Sequence, residues 1–176
     1  ISRDGSTLAV GVPAEASSAT GINGNGTDNS AAGSGAVYVY TRVPSSTSSW
    51  TLQAYIKASN TEAWDGFGSS IALSSDGSTL AVGAPGEDGA TPGVGSGDPA
   101  TTSNAAPDTG ALYVFTRGSG GTPTWTQQAY IKASSTGMRS FPSGPIVSLR
   151  LGASVALSGD GNTLAAGANG EATMGY

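Results

Sequence analysis

The phrase DGSTLAVG occupies residues 4–11, returns unchanged at residues 76–83, and reappears as DGNTLAAG at residues 160–167. Asp-Gly between apolar runs is a strong signal for a tight β-hairpin. In TLAVG the leucine and valine alternate with smaller residues, as they would in a strand. We therefore predict a type I′ turn followed by a strand. Gly77 would take the positive φ, while Asp76 and its equivalents Asp4 and Asp160 would form the turn.

Three further segments recur in the same order. GAVYVYTR (35–42) returns as GALYVFTR (110–117), WTLQAYIKAS (50–59) as WTQQAYIKAS (125–134), and FGSSIALS (67–74) as LGASVALS (151–158). All have the two-residue alternation typical of strands, and no window shows a helical period. The connections between them differ in length and are rich in Gly and Ser, which is typical of surface loops. Each repeat therefore has four predicted strands, which we name A to D.

The distribution of side-chain size predicts the shape of each sheet. Strand B carries little bulk at Ala81, Gly83 and Ala84, which favours close approach of backbones, whereas strand C carries Tyr113 and Phe115. A taper from small to large residues fits a wedge-shaped sheet of four antiparallel strands. Such wedges repeat around an axis in a β-propeller. The predicted fold class is therefore all-β, with propeller blades.

The strand count indicates about two and a quarter blades. Strands B–C–D fall in residues 1–59, a complete A–B–C–D blade in 60–134, and an insertion loop followed by A–B in 135–176. A propeller typically closes with four to eight blades. Two arrangements stay open. The sequence is a segment of a larger propeller, or its open edges pair between copies to form a ring or filament.

Composition narrows the classes of function. The 176 residues carry a net charge of −5 and contain neither Cys nor His, so thiol chemistry and the commonest neutral-pH acid–base are absent. The seven basic residues form no cluster, and no apolar run is long enough to cross a bilayer. We therefore predict a protein that is not an enzyme, with no nucleic-acid partner and no membrane span.

Three spaced elements carry a family resemblance: Phe67-Gly68 opens strand A, Gly83-Ala84-Pro85 closes strand B, and GALYVF forms strand C. This order resembles the FG-GAP repeat, which builds the β-propeller of integrin α subunits and of many bacterial surface and secreted proteins. The resemblance implies an extracellular or cell-surface adhesion or binding module. Its partner would be a protein or glycan ligand, or other copies of itself.

Calcium is the one cofactor that the resemblance raises. Many family members bind it in the A–B hairpin, yet each hairpin here supplies one Asp, whereas calcium takes six to eight oxygen ligands. The usual site is therefore not predicted. Two other loops, NGNGTDN (23–29) and PGEDG (85–89), leave calcium open through Asp28, Glu87 and Asp88.

The B–C and D–A loops emerge on the same face of an up-and-down blade, and that face binds ligands in integrin-like propellers. Its acids are Glu15, Asp28, Glu87, Asp88, Asp98 and Asp108 in B–C loops, with Glu62 and Asp65 in the D–A loop. By resemblance, the ligand-binding candidates are Trp64, Asp65, Glu62, Glu87 and Asp88. The alternatives are that acidic Gly-rich loops are merely solvated, and that Trp64 folds back over the blade edge.

Other features have structural interpretations. Trp50 and Trp125 begin strand D at equivalent positions, so the repeat architecture explains them better than a ligand does. Asn25 opens an N-glycosylation sequon, which matters only in a eukaryotic secreted protein. Residues 135–150 break the repeat with extra length, as a true insertion or a sequence error.

Overall fold

A computed structural model describes residues 1–42, 49–95, 104–119, 124–135 and 148–170, and in these ranges the chain forms strands and no helix. The strands are β1 (Thr7–Val12), β2 (Ala36–Thr41), β3 (Thr51–Ile56), β4 (Ser70–Leu73), β5 (Thr79–Ala84), β6 (Gly93–Gly95), β7 (Ala111–Arg117), β8 (Trp125–Lys132), β9 (Leu151–Leu157) and β10 (Leu164–Ala168). They build three antiparallel sheets with the orders β1-β2-β3, β4-β5-β7-β8-β6 and β10-β9.

Nine of these strands are the predicted ones, in the predicted order. The first sheet is B–C–D, the second contains A–B–C–D, and the third is A–B, which confirms an all-β fold of incomplete propeller-like blades. Each sheet lies inside one of the three predicted segments, whose limits remain a prediction. Of the insertion at 135–150, most lies outside the described residues.

The tenth strand was not predicted. Residues Gly93–Gly95 lie in the second B–C loop and pair with the outer edge of β8, with Val94 opposite Ile131. A Gly-Val-Gly segment has no apolar alternation to indicate a strand. It is recruited because the backbone of β8 offers an open edge.

The A–B hairpin differs from the predicted type. The amide of Ser74 donates to the carbonyl of Thr79 (2.9 Å), and the amide of Gly77 donates to the carbonyl of Ser74 (3.0 Å). Gly77 has the predicted positive φ of 68°, but Asp76 is not among the described residues with positive φ. A type I′ turn requires positive φ at both central residues, so that prediction is wrong.

The side chain of Asp76 accounts for this wider hairpin. Its carboxylate accepts hydrogen bonds from the Ser74 hydroxyl (2.6 Å) and the Ser78 amide (3.0 Å), and these bonds hold the pKa of Asp76 down at about 2. Asp4 and Asp160 make the equivalent bonds in their hairpins. The prediction that all three form turns is confirmed by these contacts.

Glycines bring consecutive sheets into backbone contact. A Cβ added to Gly11 would lie 2.1 Å from the carbonyl oxygen of Gly68, and one added to Gly83 would lie 2.1 Å from that of Gly152. Strand A of one sheet therefore crosses strand B of the preceding sheet at a separation that excludes any side chain. The predicted close approach at Gly83 is confirmed, and it explains why both the FG and the GAP elements need glycine.

The core lies in and around the middle sheet. Every residue of β5 is buried, since sheets cover both of its faces. The fully buried Phe67 ring packs edge-on against Tyr113 (5.2 Å between centroids) and Phe115 (6.1 Å). Edge-to-face aromatic pairs of this kind add to the free energy of burial. The phenylalanine of the FG element therefore anchors the D–A loop to strand C of its own sheet.

Candidate ligand-binding face

The D–A loop lies between the B–C loops of the first two sheets. The amide of Trp64 donates to the carbonyl of Ala32 (2.9 Å) in the first B–C loop. The side-chain amide of Asn60 donates to the carboxylate of Glu87 (2.9 Å) in the second. Asn104, also in the second loop, donates to the carboxylate of Glu62. The three loops therefore share one face, as predicted.

A buried ion pair fixes the base of the second B–C loop. The ammonium of Lys132, on β8, lies 2.5 Å from the carboxylate of Glu87, and both side chains are almost wholly inaccessible. Lys132 also donates to the hydroxyl of Thr109 (2.7 Å), while Tyr130 donates to Glu87 (2.8 Å). Burial lowers the pKa of Lys132, and the adjacent Glu87 acts in the opposite direction.

The first repeat contains the same arrangement. Lys57 lies 2.7 Å from Glu15 and donates to the hydroxyl of Ser34 (2.7 Å). Sequence reasoning missed this pair because acids in Gly-rich loops were read as exposed. The sequence did contain a signal for this pair, in the positions of the charged residues. Glu15 and Glu87 each stand two residues after a proline, in Gly11-Val12-Pro13 and in Gly83-Ala84-Pro85. Lys57 and Lys132 stand at the same place in the two predicted D strands.

Glu87 is therefore placed in the interior, at 1% exposure, and not on the loop surface where it was expected. Both oxygens of its carboxylate are bonded to Lys132, Tyr130 or Asn60. Burial of a charge is tolerated when it is paired and hydrogen-bonded. The arrangement ties the start of the loop to the outer strand of its sheet.

Trp64 is the most exposed aromatic side chain among the described residues, at 74%. Its backbone has φ of 73°, a left-handed conformation that costs a non-glycine residue about 1–2 kcal/mol. A Cβ on Gly33 would lie 2.8 Å from the Trp64 ring, so the indole rests over a glycine backbone. Glycine at position 33 thus leaves room for the ring, and most of the indole surface remains open to solvent.

Asp65, the next residue, is buried at 3% exposure. Burial raises the pKa of its carboxyl to about 7, and the negative charges of Glu87, Glu62 and Asp88 add to this effect. The amide of Glu62 donates to the carboxyl (2.9 Å), which acts in the opposite direction. The buried carboxyl of Asp65 therefore stabilises the D–A loop by accepting the hydrogen bond from the Glu62 amide.

The remaining candidate acids are bonded within their own loops. Asp88 accepts the amide of Asp108 (2.7 Å) across the base of the second B–C loop. Asp28 accepts the amides of Ser18 (3.0 Å) and Ser30 (3.1 Å), and the hydroxyls of both serines as well, which holds its pKa at about 2. These acids serve first to fix the conformation of their loops.

The structure does not bring the calcium candidates together. Asp28, Glu87 and Asp88 have no bonding partner in common. In the described ranges no group of three or more acidic side chains is placed to hold a metal ion. Asp98 lies outside the described residues, and Asn25 is exposed, with its side-chain oxygen bonded to Thr27.

Trp50 and Trp125 have equivalent surroundings, as their positions in the repeat predicted. The guanidinium of Arg42 stacks on Trp50, 4.9 Å from the ring centroid, and that of Arg117 stacks on Trp125 at 5.7 Å. Each stack joins the end of strand C to the start of strand D. The repeat therefore carries a second recurring contact at the opposite end of its strands from the buried ion pair.

Comparison with known proteins agrees with this architecture. The family model of the FG-GAP repeat matches residues 50–115, from the start of β3 into β7. No curated protein matches the chain significantly. None of the described residues lies in a helix that could cross a membrane. The match covers the FG and GAP elements whose glycines bring the sheets together, so residues 50–115 are similar to an FG-GAP repeat, and the all-β structure is consistent with β-propeller blades.

Proposed function

We propose that this chain is a non-enzymatic binding module of an extracellular β-propeller, and that it mediates adhesion by binding a protein or glycan ligand. The binding surface is the face built by the B–C and D–A loops. The observation that carries the proposal is Trp64, which is both exposed and held in a left-handed backbone conformation.

The Ala32 carbonyl and the backbone of Gly33 hold Trp64 in place, yet the described residues leave the side chain 74% exposed. An exposed indole leaves a large apolar surface in water, and a left-handed Trp costs a further 1–2 kcal/mol, roughly. Backbone strain of this kind accumulates at functional sites. Tryptophan is also among the residues that most often dominate the free energy of binding at an interface. Both costs are offset if a ligand covers the ring.

The other candidate residues have different roles, according to whether their side chains are exposed or buried. Glu62, exposed two residues before Trp64, and Asp88, half-buried in the second B–C loop, provide polar contacts to the ligand. Asp65 and Glu87 are buried, so they act as positioning residues that hold the D–A and B–C loops in place. The exposed polar rim around an apolar centre is the usual anatomy of a protein–ligand interface.

The test is a binding screen with a matched pair of variants. Fluorescently labelled protein is applied to a printed glycan array and to surfaces coated with collagen or fibronectin. Trp64→Ala should lower binding at least tenfold on at least one surface that retains the wild type. Leu52→Ala is the control, because Leu52 is also an exposed apolar residue (50%) but lies on β3, away from this face. Equal binding by both variants would refute the proposal.

A second candidate function is structural self-assembly. Within the described residues β1 pairs only with β2, and β10 only with β9, so each has an edge open to a further strand. Unpaired edges are templates for pairing with another chain. Light scattering on the purified chain decides this candidate: a ring or filament supports it, and a stable monomer at high concentration removes it.

A further inference from the structure

A cleft lined by charged and hydroxyl-bearing residues opens between the first and second sheets, at the end of the strands opposite to Trp64. It has a volume of about 620 Å³ and lies among the A–B hairpins and the ends of strands C and D. Arg42 and Gln53 border it from the first sheet, and Ser78 and Arg117 from the second. Ligand pockets commonly fall in the range of about 300–1,000 Å³.

Neutral partners hold the two guanidinium groups of the cleft. Arg42 stacks on Trp50 and donates from Nε to the carbonyl of Gly5 (2.8 Å). Arg117 stacks on Trp125 and, among the described residues, makes long contacts of 3.3 Å to the Thr7 hydroxyl and 3.5 Å to the side-chain oxygen of Gln53. Both ion pairs among the described residues involve the buried lysines and not these arginines. Two oriented positive charges therefore face the cleft without an ion pair to a described carboxylate, although Arg117 is near enough to Asp4 to help lower its pKa.

The rest of the lining is hydroxylic. Six Ser and Thr residues line the cleft with the amide of Gln53, and none of the described lining residues has an aliphatic or aromatic side chain. A ligand that depends on packing against aliphatic or aromatic side chains finds none among these described lining residues. Hydroxyl and amide groups can instead exchange hydrogen bonds with a ligand that is itself rich in hydroxyls.

Asp76 also lines the cleft, and it restricts the charge of the ligand. Hydrogen bonds from Ser74 and Ser78 keep it ionised. A ligand with dense negative charge would be repelled by this carboxylate. A ligand with one or two anionic groups, separated by neutral hydroxyl-bearing atoms, would place its charge on the arginines and a hydroxyl on Asp76.

We propose that this cleft binds an acidic saccharide, in which a carboxylate or sulfate group is held by Arg42 and Arg117 and the sugar hydroxyls by the Ser, Thr and Gln side chains. Guanidinium groups suit both anions because their planar forks donate two parallel hydrogen bonds. The site is separate from the Trp64 face and does not depend on it.

Isothermal titration calorimetry tests this with the full chain. The acidic probes are digalacturonate and a monosulfated disaccharide, and the comparison probes are neutral galactobiose, inorganic sulfate and hexaglutamate. Arg42→Gln and Arg117→Gln should each weaken binding of the acidic saccharides at least tenfold. Arg3→Gln is the charge-matched control, since Arg3 is exposed on the first A–B hairpin but does not line the cleft. Circular dichroism and melting curves verify that each variant folds.

The expected result is binding of one or both acidic saccharides, weakening with added salt, and little binding of galactobiose. Arg42→Lys should recover only part of the affinity, because lysine keeps the charge but loses the fork. The proposal is overturned if no acidic saccharide binds, if galactobiose, sulfate or hexaglutamate binds as tightly as they do, or if Arg3→Gln weakens binding as much as the cleft variants.

Discussion

Asp65 should make the stability of this protein fall as the pH rises towards neutrality, and Asp65→Asn should remove that loss. The carboxyl is buried next to Trp64, and burial raises its pKa to about 7 from the ordinary value of 3.8. Asparagine has nearly the same shape, retains an oxygen to accept the Glu62 amide, and cannot ionise.

The sign follows from proton binding in the two states. In the unfolded chain Asp65 loses its proton near 3.8, but in the folded protein it keeps the proton up to about 7. Between these values the unfolded state binds fewer protons, so the free energy of unfolding decreases as the pH rises. The stabilising effect is fully present below 3.8 and is lost by about pH 7.

The magnitude follows from the same two values. A difference of about three pKa units corresponds to roughly 4 kcal/mol, which is an upper limit because the loop can relax around the charged form. The chain has no His, and the shifted aspartates Asp4, Asp28, Asp76 and Asp160 have lowered pKa values and titrate below the range between these two values.

Urea unfolding at a series of pH values from about 5 to 8 measures the effect. Wild type should lose stability across the series, whereas Asp65→Asn should give a flatter profile and exceed wild type at pH 8. Glu62→Gln is the control: it removes a neighbouring negative charge, so it should shift the midpoint to lower pH without removing the slope. A slope that persists unchanged in Asp65→Asn would refute the reasoning.

Three further outcomes are expected. In urea unfolding, Gly77→Ala should destabilise the protein by at least about 1 kcal/mol more than Gly21→Ala. Both glycines have positive φ, but a Cβ at Gly77 would lie 2.6 Å from Thr7, whereas one at Gly21 would meet nothing within 4 Å. Lys132→Met should lower the free energy of unfolding by about 3–5 kcal/mol, because it leaves the carboxylate of Glu87 buried and unpaired. The double variant Lys132→Met/Glu87→Met should lower it clearly less. Equal losses of stability in the two variants would contradict this. Excess EDTA should leave the melting temperature unchanged, because the loop and hairpin carboxylates are already bonded to amides, hydroxyls or lysines; a lowered melting temperature would indicate a bound metal.

Repetition explains why so much of the fold was predictable. A strand pattern that occurs twice as TLAVG and a third time as TLAAG can be recognised without knowledge of its surroundings. Strand β6 had no such pattern, because its pairing depends on the open edge of β8 and not on its own side chains. The hairpin type was mispredicted for a related reason. The Asp76 side chain, bonded to two serines, selected a wider loop than Asp-Gly alone indicates.

The candidate face was predicted in outline and corrected in detail. Loop connectivity alone places Trp64, Glu62 and Asp88 on one side of the sheets, because alternate connections of an antiparallel sheet emerge at alternate ends. Whether a loop acid is exposed depends on distant residues. Glu87 is drawn inside by Lys132, forty-five positions later in the chain.

The sequence by itself determined the strands, their order and the glycines at which sheets meet, because these follow from local alternation and from the steric demands of single residues. Tertiary structure alone decided which acids are buried, that Trp64 stands exposed in a left-handed conformation, and that two arginines face a hydroxyl-lined cleft. Burial and electrostatic environment are properties of the space between sheets. They depend on which side chains from separate repeats pack together there, and no local sequence pattern specifies those long-range contacts.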